Sequence, residues 1–165
     1  MADFALLAPQ AEAHTWYPYS FMAKPEMNEP WLSSALVLLK DLVNEVSEQG
    51  IGAEKTYFLG FSQGACLSLE FVTRHATHYG GVVAFTGGLI GDKIQSEKYK
   101  GNFEETPVFI STGDPDPHVP VARVHDTVGI LETMNARVKL EIYPDRPHTV
   151  SRAEIDLAKT FIFNS

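Results

Sequence analysis

A short apolar run over residues 56–61 passes directly into Gly60-Phe61-Ser62-Gln63-Gly64 and then into a segment rich in Ala and Leu. This reads as strand, sharp turn, helix. A serine at such a turn has strained backbone angles, and the residues two places to either side come very close, so only small ones fit. Gly60 and Gly64 hold those places. The turn lifts a hydroxyl above the carboxyl edge of a sheet. It also aims the N–H of the next residue, Gln63, and the start of the helix at any oxyanion that forms there. Ser62 is therefore a candidate nucleophile, with Gln63 N–H as an oxyanion donor. The competing reading is an ordinary glycine-bounded turn around a buried serine.

The remaining residues supply the frame that such a turn needs. Residues 4–8 are apolar, end at Pro9 and are expected to form a strand buried on both faces. Residues 10–29 show neither helical nor strand period, but they carry Trp16, Tyr17, Tyr19, Phe21 and Met22. That aromatic content favours an ordered, packed loop that either covers core or contacts substrate, with Trp16, Tyr17 and Phe21 as weak candidates for a pocket wall. Pro30 opens a helix that Gly50 closes, with Trp31, Ala35, Leu38, Leu39, Leu42, Val43 and Val46 as its apolar stripe. Residues 56–61 are expected to be the central strand. Cys66 reads as a small buried hydrophobe on the helix that follows.

Further strands are expected at 81–86, 107–112 and 138–143, with helices at 121–135 and from the capping box Ser151/Glu154 to residue 163. Strands that alternate with helices imply the α/β class. The expected fold is a mostly parallel sheet with helices on both faces, in a single domain over residues 1–165.

Charge and cysteine content exclude several classes of function. A formal net charge of −8 argues against a nucleic-acid partner or an anionic membrane surface. The lone Cys66 rules out an internal disulfide and suits a reducing compartment. No apolar run is long enough to span a bilayer, and the first residues show no signal pattern, so the expected location is cytoplasmic. His75 and His78 stand one helical turn apart, but no carboxylate or cysteine cluster accompanies them. They read as a helix C-terminal pair, and no metal site is expected.

In sheets of this kind reactive groups gather at the carboxyl ends of the strands. Three strands end in a candidate: Ser62, then Asp114 or Asp116, then His148. A general base must reach the serine from a strand-end loop. His148 is favoured over His118, which lies beside the aspartates that should orient the base. Asp116, stiffened between Pro115 and Pro117, is favoured slightly over Asp114 as that orienting acid, and the residues alone leave both open.

With these segments in view, the chain resembles the phospholipase/carboxylesterase family, the acyl-protein-thioesterase-like branch of the α/β-hydrolases. The matching stretches are Gly60-Phe61-Ser62-Gln63-Gly64, Gly113-Asp114-Pro115-Asp116-Pro117-His118-Val119-Pro120, Tyr143-Pro144 leading to His148, and Leu6-Leu7-Ala8-Pro9-Gln10-Ala11. The resemblance implies Ser62 as nucleophile, Asp116 rather than Asp114 as acid, His148 as base and Gln63 N–H as one oxyanion donor. It implies hydrolysis of carboxylic esters or thioesters through an acyl-enzyme, a small-molecule ester as partner, and no cofactor.

The chain departs from the family at its start. Members begin with further strands and a His-Gly-rich loop that supplies the second oxyanion donor, and this sequence lacks that motif. In their sheet a strand separates the equivalents of residues 4–8 and 56–61. Its absence would leave unpaired backbone groups on both sides of a gap. Three arrangements meet that problem. The first strand slides across to the nucleophile strand, a second copy fills the slot as a homodimer through the sheet edge, or the sequence is a piece of a longer protein. The rival to an esterase is a catalytically impaired module that acts by binding or self-assembly.

Overall fold

The computed structural model describes residues 4–163. Four parallel strands stand side by side in chain order: β1 (Tyr57–Phe61), β2 (Gly81–Phe85), β3 (Pro107–Asp114) and β4 (Arg137–Pro144). Alternation along these strands builds a core on each face. On one face Val82, Ala84, Val108 and Ile110 meet Leu32 and Leu36 of α1 (Trp31–Glu48), Leu69 and Val72 of α2 (Gln63–Arg74), and Val124 and Leu131 of α3 (Val121–Thr133). On the other face Val83, Phe85 and Phe109 meet Ala158 and Ile162 of α4 (Arg152–Phe163). The expected α/β architecture, with helices on both faces of a parallel sheet, is what the chain adopts.

The register sets the height of each strand end. Phe61, Phe85, Ser111 and Glu141 lie level across the sheet. β3 and β4 then continue together to Asp114 and Pro144. The loops after β3 and β4 therefore start higher than Ser62 and overhang it.

Four expectations need correction. Residues 4–8 form no strand and are exposed, with Leu6 90% accessible. A β-strand is stabilised by its ladder and its cross-strand neighbours, and an apolar run without a partner strand has neither. Phe4 instead sets its ring edge-on to Tyr57 at 6.0 Å and to Phe163 at 5.5 Å.

Second, the strand that leads into Ser62 is not central. Among the described residues β1 is an edge, paired only with β2, and strand sliding is not what fills its outer side. α4 reaches β2 and β3, so Tyr57, Leu59 and Phe61 stay 40%, 71% and 41% exposed on that face. A groove of about 240 Å³ runs there, lined by Tyr57, Leu59, Phe85, Ile155, Ile162 and Phe163.

Third, the buried stripe of α1 is Leu32, Ala35 and Leu36, continued by the half-buried Leu39 and Val43, while Trp31 and Leu38 face outward. So many apolar residues surround this helix that period alone does not choose the face. Fourth, α2 ends at Arg74, so His75 caps it and His78 lies beyond it, with its Nδ1 2.9 Å from the Glu104 carbonyl oxygen. Among the described residues no helix is long and apolar enough to cross a membrane.

Candidate active site

Ser62 joins β1 to α2 with φ 54° and ψ −117°, a strained conformation for a residue with a side chain. The turn is tight enough that a Cβ on Gly60 would lie 2.3 Å from the carbonyl oxygen of Gly64. Only glycine fits at 60. Position 64 differs from expectation, because a Cβ there meets open space; its backbone, not a missing side chain, does the crowding. Ser62 N–H donates to the Phe85 carbonyl at 3.0 Å, and the Ser62 carbonyl accepts from Cys66 N–H at 3.0 Å, so both peptide groups beside the hydroxyl are fixed.

The overhanging loops deliver their residues onto this hydroxyl. His148 Nε2 lies 2.9 Å from Ser62 Oγ, and its Nδ1 lies 2.8 Å from Asp116 Oδ2. The other carboxylate oxygen, Oδ1, accepts from the N–H groups of His118 and Val119 at 2.9 Å each. Burial pushes the Asp116 carboxyl up. The hydrogen bonds from His148, His118 N–H and Val119 N–H outweigh it, and the carboxyl sits below its usual range. It is thus a fixed, ionised acceptor.

Asp114 is exposed at the end of β3, where its carbonyl accepts from Asp145 N–H at 2.9 Å. His118 is not placed against Ser62. Its ring stands edge-on to His148 at 4.8 Å, while Phe61 packs on His148 at 5.1 Å. The imidazole thus packs against two rings.

Gln63 is the first residue of α2, whose first-turn N–H groups have no acceptor within the helix. Its side chain turns to the aromatic loop. Gln63 Oε1 accepts from Trp16 N–H at 2.8 Å, and Nε2 donates to the Tyr17 carbonyl at 2.9 Å and to Thr15 Oγ1 at 3.1 Å. The loop is ordered, as its aromatic content implies, and Asn28 is buried beneath it, bonded to Tyr19 N–H and the Ser20 carbonyl.

Of the weak pocket candidates, Tyr17 and Phe21 are buried in the main core, and Trp16 alone keeps partial exposure beside Gln63. Cys66 is buried too, and burial pushes its thiol up to about 12, which leaves it a poor nucleophile. Among the described residues no group of three or more His, Cys, Asp or Glu could hold a metal ion.

Sequence reasoning missed Arg146. Two residues before His148, in a stretch of Pro and charged residues, it reads as a solvated loop residue. It is instead buried against Thr86 and Glu154. The available signal was Glu154, which the capping box ties to Ser151 at the start of α4. The two hydrogen bonds of that box are present, at 2.8 and 3.2 Å.

The model of the phospholipase/carboxylesterase family matches residues 7–165. The chain belongs to this family. Among solved structures, a phospholipase/carboxylesterase from Dyadobacter fermentans is 59% identical with a TM-score of 0.92, over 93% of this chain and 74% of that one. An acyl-protein thioesterase 1 from Debaryomyces hansenii is 35% identical over 75% of this chain and 54% of the relative. One from Neurospora crassa is 28% identical over 82% of this chain and 56% of the relative. The chain thus spans little more than half the length of these curated phospholipase/carboxylesterase relatives.

Proposed function

We propose that the chain is a serine carboxylesterase that hydrolyses small carboxylic esters, thioesters among them. The hydrogen-bonded line Ser62–His148–Asp116, set on a strained strand–helix turn, carries this reading. His148 takes the proton from Ser62 as Oγ attacks the ester carbonyl. Asp116 holds the imidazole with its proton on Nδ1 and stabilises its charged form. Gln63 N–H, with the positive end of α2, steadies the oxyanion. The alcohol or thiol leaves with the proton from His148, and water repeats the cycle on the acyl-enzyme. The steps call on these groups and water, with no metal or organic cofactor. The names of the relatives, carboxylesterase and acyl-protein thioesterase, support the same chemistry. We place the protein in the cytoplasm and assign it no nucleic-acid partner.

The expected signature is hydrolysis of p-nitrophenyl acetate that falls by about 10⁴-fold or more in Ser62→Ala. Equal rates in both proteins would sink the esterase reading. If Gln63 N–H acts as a lone oxyanion donor, turnover is lower by roughly a hundred- to thousandfold than with two.

A second reading has its own observation. The outer edge of β1 is unpaired among the described residues and its Leu59 is 71% exposed, which suits assembly through that edge as a homodimer. Sedimentation would show a dimer that Leu59→Lys dissolves.

A further inference from the structure

The base sits on a loop, and a loop holds an imidazole at one height only if something fixes the loop. The structure fixes residues 144–151 from below as well as at its ends. Arg146 turns back under the loop, toward the carboxyl ends of β2 and β3. Its Nη2 donates to Thr86 Oγ1 at 2.7 Å, in a buried contact just past the end of β2. Its Nη1 donates to the Pro147 carbonyl at 3.3 Å, in the residue before His148.

Its Nε, which makes no hydrogen bond among the described residues, faces Glu154 Oε1 across 3.7 Å. Glu154 is fully buried, and each of its oxygens is used: Oε1 accepts from Ser111 Oγ of β3 at 2.7 Å and Oε2 from Ser151 N–H at 2.8 Å. Thr86 is itself fixed, with φ 57° and its N–H bonded to the Ser111 carbonyl.

Three elements therefore meet at one buried guanidinium, the end of β2, the base loop and the first turn of α4, and β3 joins them through the Ser111 bond to Glu154. A buried carboxylate needs a counter-charge, and Glu154 would be met by a shorter cation as well. The planar fork of Arg adds direction, because it can reach Thr86, the Pro147 carbonyl and Glu154 at once. The chain of contacts ends one residue from His148.

We propose that Arg146, tethered by Thr86 and Glu154, is a positioning residue that sets the height of the His148 imidazole over Ser62. The proposal rests on the esterase reading. Arg146 does not touch substrate. It acts by holding the base loop against the sheet, so its loss should slow the proton transfer and leave substrate binding alone. A displacement of the base by about 1 Å costs on the order of a hundredfold in rate.

The test is the rate at which a fluorophosphonate labels Ser62, measured with p-nitrophenyl acetate kinetics and the low-field proton resonance of the His148–Asp116 hydrogen bond. Wild-type chain should label. Arg146→Met should label about 10- to 100-fold more slowly, with kcat reduced by the same factor, KM within about twofold and the resonance shifted. Arg146→Lys should recover part of the rate.

Should Arg146→Met strand the Glu154 charge and fail to fold, Arg146→Met/Glu154→Gln removes both charges and should fold while staying slow. Thr86→Val, as β-branched as the residue it replaces, removes only the hydroxyl tether and should slow labelling about 3- to 10-fold. Labelling at the wild-type rate with an unmoved resonance, in Thr86→Val, in folded Arg146→Met or in Arg146→Met/Glu154→Gln, overturns the proposal. A wild-type chain that does not label at Ser62 overturns the esterase reading beneath it.

Discussion

β1 and β3 lie two places apart in one sheet, and each leads into a member of the Ser62–His148–Asp116 line, yet they are held in different ways. β3 is eight residues long and buried at every position up to Gly113, between β2 and β4 and under helices on both faces. β1 is five residues long, paired on one side, and exposed at Tyr57, Leu59 and Phe61. Ser62 is placed by local means: the close approach of Gly60 to Gly64, its own strained backbone and one bond to Phe85. Asp116 and His148 are placed by tertiary packing around β3, β4 and α4. A site assembled from one locally fixed part and one globally fixed part has two separate ways to fail.

The contrast can be broken most forcefully from its buried side. Phe109→Ala, at the middle of β3, should cost about 3–5 kcal/mol in urea unfolding, since it opens a cavity under α4. Acid should sharpen it next. The Asp116 carboxyl is held below its usual range, so the folded state binds fewer protons there than the unfolded chain. Its stabilising contribution is full above the ordinary carboxylate pKa of about 4 and is lost as pH falls through the lower folded value. Thermal melts between pH 5 and 3 should therefore fall less steeply for Asp116→Asn than for wild type; equal slopes would mean that Asp116 is not ionised against His148. The smallest effect belongs to the edge. Leu59→Lys should change the stability of the monomer by no more than about 0.5 kcal/mol, and a larger loss would show that the β1 edge is covered in solution.

Much of this was legible in the residues. The turn at Ser62 could be read because Gly60 answers a steric demand that few other arrangements make. His148 could be read because a strand precedes it and the Ser151/Glu154 box follows it. Other features were hidden for stated physical reasons. Residues 4–8 have strand-like residues, but strand formation depends on a partner that a pattern cannot report. The place of β1 at the edge follows from sheet order, which no residue of β1 encodes. The stripe of α1 was turned because Leu36, Val37, Leu38 and Leu39 allow more than one apolar face. Arg146 was missed because its charge predicts solvent, and the Ser151/Glu154 box, though legible, does not say that Glu154 is buried beside it.

Gln63 joins two parts of the molecule that are far apart in sequence. Its backbone opens the helix that faces the Ser62 hydroxyl, while its side-chain amide staples Thr15, Trp16 and Tyr17 to that same point. The aromatic loop and the first turn of α2 are thus mechanically one body. Lifting the loop must either break these amide contacts or drag the first turn of α2 with it, so the space beside Trp16 is coupled to the turn at Ser62 without touching it.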